Sequence, residues 1–395
     1  MLLACLLFLS LFLLCGCTTG GEPEDPVVGK MEDDFSIRLY ATLAPDTYTL
    51  RYENGDGILA EYEEIDRLVV DGQSEVYGGF LPENRAPAAA THIGVYASDG
   101  TRVGQVPLAH GFYQDAGEVL YRFGALSDVH IGYETAAEDL ARAITHFVNE
   151  ENVAFIGIAG DLTGAATDEQ LALYRETVDG YAGSTPVYAV TGNHDTVTFR
   201  GSSVLDVLEE YTGQPLYYSF THGDDVFLMM GVYANQEGSL FTEEELAWLA
   251  ECLATNKDKR VFLFQHVRPE DTSGNAHGIY NYDIWGGEEQ TVFEELLAQN
   301  PNVIHFHGHS HLKLYLQEQV KNANYDGSDG YHSVHVPSVS VPRDGDETGA
   351  DSREECYEES EGFLVEVYET GIRLRGYDFV AGKYLPIAEY FLFTN

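Results

Sequence analysis

Aspartate, histidine and asparagine residues recur directly after apolar runs that we predict to be buried strands. Five short blocks follow such runs, and each offers at least one side chain able to ligate a metal ion. Ligands of layered α/β proteins gather at the carboxyl ends of the strands, so we expect the blocks to meet at one edge of one sheet. The blocks are Asp128-Val129-His130, Gly160-Asp161, Gly192-Asn193-His194-Asp195, His266 and Gly308-His309-Ser310-His311.

The chemistry of these blocks predicts a site for two divalent ions. Carboxylate, imidazole and amide donors together suit Zn, Mn or Fe, whereas a calcium cage uses oxygen atoms only. A tetrahedral site needs four ligands, so the larger set predicts two ions that share one bridging carboxylate. Two such ions polarise a phosphoryl group and generate a hydroxide near neutral pH.

In type and order, the five blocks resemble the calcineurin-like metallophosphoesterase family, whose pattern is D-x-H, G-D, G-N-H-[DE], H and G-H-x-H. The resemblance covers about residues 120 to 315 and does not extend to the first 115 residues. It implies one ion on Asp128, His130 and His311, a second on Asn193, His266 and His309, and Asp161 as the bridge. It also implies that a metal-bridging hydroxide attacks phosphorus and that His194 assists the leaving alcohol. Asp195 would then orient the ring of His194.

The purple acid phosphatase branch of this superfamily also carries an N-terminal β-sandwich, but the sequence departs from that branch at the ligands. That branch uses a tyrosine a few residues after the G-D block to bind ferric iron, and Leu162-Thr163-Gly164-Ala165 offers none. It also lacks a histidine at the position of His130. We therefore expect a colourless site with two divalent ions.

Strand and helix patterns alternate from residue 117 to the end of the chain and predict the elements that position the blocks. One helix is predicted over roughly Asp168–Tyr181. Thr242 and Glu245 form a capping-box start to another helix that runs to about Thr255. The last three predicted strands, at 362–369, 371–379 and 384–393, would finish a second sheet. The predicted fold class is therefore α/β (α+β), a four-layer metallophosphoesterase-like sandwich of two sheets flanked by helices, spanning residues 117–395.

Residues 35–116 show short runs of period-two alternation between Gly-, Pro- and Asp-rich segments, which predicts a small all-β sandwich domain. This domain carries no cluster of ligating side chains, so a packing role and a carbohydrate- or partner-binding role both stay open.

Within the larger domain we predict a long loop at 269–286 and a solvated acidic loop at 344–361. Outside the blocks, His305 and His307 are predicted to pack or to support the site, and His146 to be solvated.

The N-terminus has the character of an export signal and lipid anchor. Residues 2–14 are apolar except for one serine, a length typical of a signal-peptide core. Leu14-Cys15-Gly16-Cys17 resembles a bacterial lipobox, which implies lipidation of Cys17 after removal of the preceding residues; ordinary secretory cleavage is the alternative. Residues 18–34 have the composition of a flexible linker. We therefore expect an exported protein held at the extracytoplasmic face of the membrane by the lipid alone.

The formal net charge is −44, from 21 basic and 65 acidic residues. Binding to a nucleic-acid duplex depends on basic residues that replace condensed counterions, so no duplex partner is expected. A phosphoester substrate must instead be held by the two metal ions. Monoester and diester substrates, and any oligomeric state, stay open at this point. The alternative function is a cell-surface binding module that retains the metal site while the β-sandwich carries the role.

Overall fold

The computed structural model describes a set of segments that together include all five blocks. The described residues are 27–31, 37–41, 48–54, 57–65, 75–76, 92–107, 118–196, 204–233, 240–269, 273, 288–314, 320–322, 331–345 and 351–393. The signal segment with Cys17 and most of the loop at 269–286 lie outside them. Among the helices in these segments, none is long and apolar enough to cross a membrane.

The described strands of the N-terminal region form two antiparallel sheets. They are β1 (Val27–Met31), β2 (Ile37–Ala41), β3 (Tyr48–Asn54), β4 (Gly57–Ile65), β5 (Glu75–Val76), β6 (His92–Tyr96) and β7 (Arg102–Pro107). Their orders are β1-β2-β5 and β4-β3-β6-β7. Strand β1 falls within residues 18–34, so part of the predicted linker is a strand. The packing of the two sheets as a sandwich domain stays a prediction.

A six-stranded mixed sheet, named sheet I, begins the larger region. Its strands are β8 (Tyr121–Leu126), β9 (Phe155–Ile158), β10 (Val187–Ala189), β19 (Glu361–Val367), β20 (Gly371–Asp378) and β21 (Lys383–Phe393), in the order β10-β9-β8-β19-β20-β21. Strands β8, β9 and β10 are parallel, and β19 pairs with β8 in the antiparallel direction. The three C-terminal strands are present as predicted, but the expectation that they finish a second sheet was wrong, because β19 pairs with β8 and the three strands extend sheet I.

A second six-stranded sheet, sheet II, has the order β11-β12-β13-β14-β16-β15. Its strands are β11 (Tyr217–His222), β12 (Asp225–Met230), β13 (Val261–Phe264), β14 (Val303–His307), β15 (Val320–Asn322) and β16 (His332–His335). Strands β12, β13, β14 and β16 are parallel. A short ribbon pairs β17 (Arg343–Gly345) with β18 (Asp351–Glu355), so part of the segment predicted as an acidic loop is a strand.

Helices cover the outer faces of both sheets. They are α1 (Ala136–Thr145), which continues into a π-helical turn (His146–Glu150), α2 (Asp168–Tyr181), α3 (Asn193–Thr196), α4 (Val204–Thr212), α5 (Glu243–Thr255) and α6 (Glu288–Ala298). Helix α5 begins with the predicted capping box, in which the Thr242 hydroxyl accepts from the Glu245 amide and the Glu245 carboxylate accepts from the Thr242 amide. Helix α2 has the bounds that its sequence predicted.

Apolar contacts bind the four layers together. Phe123 and Phe155 of sheet I pack against Phe227 and Phe262 of sheet II between the two sheets. Leu140 and Ile144 of α1 pack on the outer face of sheet I, and α5 and α6 cover sheet II with Leu249 and Phe293. Burying each such side chain contributes roughly 1.5–3 kcal/mol. The predicted four-layer arrangement of two sheets flanked by helices is therefore confirmed.

One histidine lies in a different environment from the predicted one. His146 is only 5% exposed, and its ring stacks on Tyr377 with centroids 3.8 Å apart. The prediction that it is solvated was wrong, because strand β20 is far away in sequence but covers this end of α1. His305 and His307 are fully buried, as predicted.

Candidate metal centre

The five blocks come together at the shared edge of two sheets. Asp128 and His130 follow β8, Asp161 follows β9, and α3 with Asn193 follows β10, so these blocks leave sheet I. His266 follows β13, and His309 and His311 follow β14, so these leave sheet II. The expectation of one edge of one sheet was therefore wrong. The strands of both sheets that carry the blocks end at the same side of the sandwich, and each sheet supplies part of the site.

The loops of the site adopt a backbone conformation that the sequence does not reveal. Left-handed φ angles are uncommon for residues other than glycine and often mark functional sites. Such angles occur at Asp128 (52°), His130 (49°), Asp161 (49°), His309 (74°) and His311 (60°). Backbone hydrogen bonds between neighbouring loops hold this conformation, with the His130 amide donating to the Asp161 carbonyl at 2.9 Å and the Gly308 amide to the His266 carbonyl at 3.0 Å.

The first ligand group contains Asp128, His130, Asp161 and His311, whose candidate ligand atoms all lie within 4.8 Å of one another. The Nε2 atoms of His130 and His311 are 3.1 Å apart, and Asp128 Oδ1 lies 3.0 Å from the His311 Nε2 atom. These four residues are buried. Two imidazole nitrogens and two carboxylates that converge on one point form a suitable set of donors for a borderline divalent ion.

The second ligand group contains Asp161, His266 and His309, again with ligand atoms within 4.8 Å of one another. His266 Nε2 lies 3.1 Å from Asp161 Oδ2. Asn193 begins α3, and its side-chain oxygen is buried without a hydrogen-bond partner in the described structure. Asp161 belongs to both groups, which is the position that a bridging carboxylate requires.

Hydrogen bonds outside the two groups orient the ligand atoms inward. His266 Nδ1 donates to the Ala159 carbonyl at 2.7 Å, and His311 Nδ1 to the Val341 carbonyl at 3.1 Å. Because a carbonyl only accepts, each bond places a proton on Nδ1 and leaves Nε2 as the ring nitrogen that faces the ligand group. Asp128 Oδ2 accepts from the His309 amide at 2.9 Å, and Asp161 Oδ1 accepts from the His194 amide at 2.8 Å. Each carboxylate therefore keeps its other oxygen for an ion.

The ionisation of the ligands also suits a cation. Burial opposes ionisation of Asp128, but the His311 and His266 rings hold the pKa of this carboxyl well below its usual value. The pKa of Asp161 is lowered in the same way, chiefly by His266 against the effect of burial. Burial lowers the pKa values of His130 and His309 to about 3, so these rings are neutral at pH 7. Against burial, the charges of Asp161 and Asp128 raise the pKa of His266 to about 9, so a metal must displace its proton.

The unsatisfied atom and the types of donor at the site fit two metal ions. Asn193 Oδ1 is buried without a hydrogen-bond partner in the described segments. Leaving such an atom unsatisfied costs about 1–3 kcal/mol, and coordination to a cation removes that cost. The mixture of imidazole nitrogens with oxygen atoms matches Zn, Mn or Fe better than Ca.

Close packing at the strand ends depends on glycine. A Cβ atom at Gly308 would overlap the Ser127 hydroxyl and the Asp128 carboxylate, and one at Gly192 would overlap the Asp161 carboxylate. These two glycines therefore let the backbone approach the ligands closely.

His194 lies beside the first ligand group but is not part of it. Its ring is half-buried and meets the His130 ring edge-on, with centroids 4.6 Å apart. His194 Nδ1 donates to the Gly164 carbonyl at 3.0 Å. This hydrogen bond places a proton on Nδ1 and fixes the orientation of the ring.

Asp195 has a different set of partners from the predicted one. Its carboxylate accepts four hydrogen bonds, from the Gly192, Leu162 and Thr163 amides and from the Thr163 hydroxyl, at 2.8–3.0 Å. The His194 ring is oriented at Nδ1 by Gly164 instead of by Asp195, contrary to the prediction. Burial and the charge of Asp161 raise the pKa of Asp195 to about 6 despite these donors. Asp195 thus joins the loops after β9 and β10.

Several residues that support the site were missed by sequence reasoning. The Ser338 hydroxyl donates to the Asp128 carbonyl at 2.8 Å, and Ser310 Oγ lies 2.8 Å from His335 Nε2. The ring of Tyr133 stacks on His130. Tyr133 lies only three residues after His130, but no period or motif in the sequence marked it.

Comparison with known proteins agrees with this geometry. Residues 121–313 match the family described as Calcineurin-like phosphoesterase. A curated protein of Arcobacter nitrofigilis, named a probable glycerophosphodiester phosphodiesterase GpdQ, is 28% identical over 149 residues, which are 35% of this chain and 52% of that protein. The chain thus spans about half the length of this curated relative.

Two solved structures are also similar at low identity. Purple acid phosphatase PPD1 from yellow lupin (Lupinus luteus) seeds is 12% identical, with a TM-score of 0.47, 91% of this chain covered and 72% of that one. A novel archaeal phosphodiesterase is 12% identical, with a TM-score of 0.26, 60% of this chain covered and 99% of that one.

Proposed function

We propose that this protein is a metal-dependent hydrolase of phosphomonoesters or phosphodiesters, in keeping with the match of residues 121–313 to the calcineurin-like phosphoesterase family. The observation that carries the proposal is the pair of buried ligand groups that share Asp161 at the common edge of two sheets. A purely structural site would not need two such groups beside a half-buried histidine.

The ligands divide between the two ions as follows. Asp128, His130 and His311 would hold one ion, His266, His309 and Asn193 the other, and Asp161 would bridge them. Ions bound there would polarise the phosphoryl group and lower the pKa of water. The ligand oxygens and nitrogens are oriented by the hydrogen bonds from Ala159, Val341 and the loop amides, so the protein is organised for the ions before they bind.

His194 supplies the proton for the leaving alcohol. As an imidazolium it donates Nδ1–H to the Gly164 carbonyl and keeps Nε2–H for the leaving oxygen. After the proton has moved to the alcohol, the neutral ring retains Nδ1–H, which the same carbonyl stabilises. The hydrogen bond to Gly164 therefore suits both protonation states, and a positioned acid of this kind contributes about 10²–10⁴ in rate.

The substrate class extends from monoesters to diesters. The curated relative bears the name of a phosphodiesterase, which makes diesters the first compounds to test. The net charge of −44 makes general attraction of polyanions unfavourable, so affinity for the phosphoryl group arises locally at the ions.

The test of this proposal uses the purified mature protein loaded with Mn²⁺ or Zn²⁺. Turnover of bis(p-nitrophenyl) phosphate and p-nitrophenyl phosphate is measured with and without a chelator, and metal content is determined on the same preparation. We expect turnover of at least one substrate, its loss with the chelator and its return with the metal. Two bound ions without turnover of either compound would refute hydrolysis of these ester classes and favour the binding module.

The protein acts at the cell surface in this proposal, anchored by a lipid on Cys17 at the extracytoplasmic face. The apolar segment 2–14 and the sequence Leu14-Cys15-Gly16-Cys17 support the anchor. Expression in a bacterial host with labelled palmitate tests it, with Cys17→Ser as the matched variant. We expect label and detergent-phase partitioning for the original chain only. Equal partitioning of the two chains would argue against lipidation.

A further inference from the structure

The imidazole rings at the site are not all held in the same way. His266 and His311 each donate Nδ1–H to a backbone carbonyl, which is the usual means of orienting a metal-binding histidine. His130 is equally buried, but its Nδ1 atom has no hydrogen-bond partner in the described structure. The orientation of His130 therefore depends on contacts other than a hydrogen bond at Nδ1.

Tyr133 provides such a contact. Its ring lies parallel to the His130 ring, with an interplanar angle of 6° and centroids 5.0 Å apart. The Tyr133 amide donates to the His130 carbonyl at 3.0 Å, so a tight turn brings the phenol ring back over the imidazole. Tyr133 is half-buried, and its neighbour two residues before, Ile131, pairs with the loop after β9. The turn is thus fixed at both ends.

Gly164 makes room for this arrangement. A Cβ atom at position 164 would lie 3.1 Å from Tyr133 Cε1 and 3.5 Å from Cδ1, whereas the next atom, the Ile131 oxygen, would be 3.8 Å away. The φ angle of Gly164 is not in the left-handed region, so the conformation itself is open to other residues. The principal constraint on a small side chain at position 164 is the ring of Tyr133.

We propose that Tyr133 is a positioning residue that holds the His130 imidazole by ring stacking, in place of a hydrogen bond at Nδ1, and directs Nε2 toward the ion of the first ligand group. This inference rests on the proposed function in that the ion is the one assigned there. Removing the aromatic ring frees His130 to rotate about its Cβ–Cγ bond. The affinity of one ion then falls, while the second group, with His266 held by Ala159, is unaffected.

The test measures binding of Mn²⁺ and, separately, Zn²⁺ to the metal-free full chain by calorimetry, together with metal content after dialysis. We expect Tyr133→Leu to weaken one of two binding events by about tenfold or more, within the range for residues that support metal ligands. Tyr133→Phe keeps the ring and should bind both ions as the original chain does. Tyr377→Leu is the matched control, because it removes a tyrosine stacked on His146, which binds no ion; it should leave both binding events unchanged.

A double-mutant cycle separates stacking from general damage. Gly164→Ala pushes on the Tyr133 ring and should weaken the same binding event. In a Tyr133→Ala background the clash is absent, so adding Gly164→Ala should cause no further loss. Thermal unfolding of each metal-free variant identifies any chain that fails to fold. If the Leu variant fails, Gly164→Ala decides the outcome: weakening of one binding event supports the inference, and unchanged binding overturns it.

Three results would overturn the inference: equal weakening of both ions in Tyr133→Leu, no weakening of either, or a Phe variant as weak as the Leu variant. Because binding is measured without substrate, its outcome is independent of turnover. Two-ion binding that depends on the ring in a chain that hydrolyses nothing would refute the proposed function and leave the role of Tyr133 intact.

Discussion

Replacing His194 by alanine tests the assignment of the leaving-group acid. His194 lies outside both ligand groups, so His194→Ala should retain two ions. The change removes the ring whose Nδ1 atom is held by the Gly164 carbonyl at 3.0 Å and whose Nε2 atom is the proposed proton donor. The cavity left behind is half-exposed, so water fills it, but that water is not oriented toward the substrate.

The expected loss follows from the role of a positioned acid. General acid catalysis contributes about 10²–10⁴ in rate, which corresponds to about 2.7–5.5 kcal/mol in the barrier at 1.36 kcal/mol per factor of ten. The loss must depend on the leaving group. p-Nitrophenol departs as a stabilised anion and needs little help, whereas an alkyl alcohol needs the proton, so an alkyl ester should show the upper part of this range and a p-nitrophenyl ester a smaller loss.

The assay compares kcat for p-nitrophenyl phosphate, followed by colour, with kcat for an alkyl phosphate, followed by phosphate release, at equal metal loading. His146→Ala serves as a control, because His146 is buried against Tyr377 away from the ligands and should affect stability more than the ratio of the two rates. Equal losses for both esters in His194→Ala would refute the role as acid. Loss of a metal ion would show instead that His194 is a ligand.

Three further predictions concern the ligands and their supports. Asp161→Asn should weaken both ions in a metal titration because Asp161 belongs to both groups; an effect on one ion alone would contradict the bridge. Gly308→Ala should destabilise the fold by about 1–3 kcal/mol through overpacking and lower the metal content, because its Cβ would overlap Ser127 and Asp128. The control is Gly180→Ala in α2, where a Cβ meets open space. In urea unfolding this control should be neutral or stabilising by about 0.5–1 kcal/mol. Burial raises the pKa of Glu361 to about 8. Between the ordinary Glu pKa and pH 8, the unfolded chain therefore binds fewer protons at this residue than the folded chain does. The free energy of unfolding then falls as the pH rises through this range. Glu361→Gln keeps an oxygen for the Leu314 amide, and its stability relative to the original chain should rise progressively from pH 5 to 8. The exposed control Glu369→Gln should show no such rise. A stability difference for Glu361→Gln that stays constant across this range would refute the idea that Glu361 loses its proton there.

The resemblance of five short blocks to a known pattern, together with alternating strand and helix periods, was sufficient to predict the layers of the larger region. Ligand types are visible in sequence because metal chemistry restricts them to few residues, and strand ends are visible because apolar runs stop there. The capping box at Thr242 and the bounds of α2 were predictable for the same reason, since both depend on neighbours within a few residues.

Other features depend on residues that are distant along the chain. The division of the site between two sheets arises because β13 and β14 pair with each other and not with β8, which periodicity does not encode. The burial of His146 depends on Tyr377, more than two hundred residues away. The orientation of the His194 ring depends on the Gly164 carbonyl, and a backbone acceptor carries no sequence signal at all.

The sequence by itself determined which side chains are able to bind metal and which elements carry them, because both properties are local. Only the tertiary structure decided the surroundings of these side chains: Asp195 is held by four donors from two loops, His266 and His311 by carbonyls, and the His130 ring is stacked on Tyr133. The physical reason is that a hydrogen bond or a ring stack depends on distance and direction in space, which the folding of two sheets against each other creates.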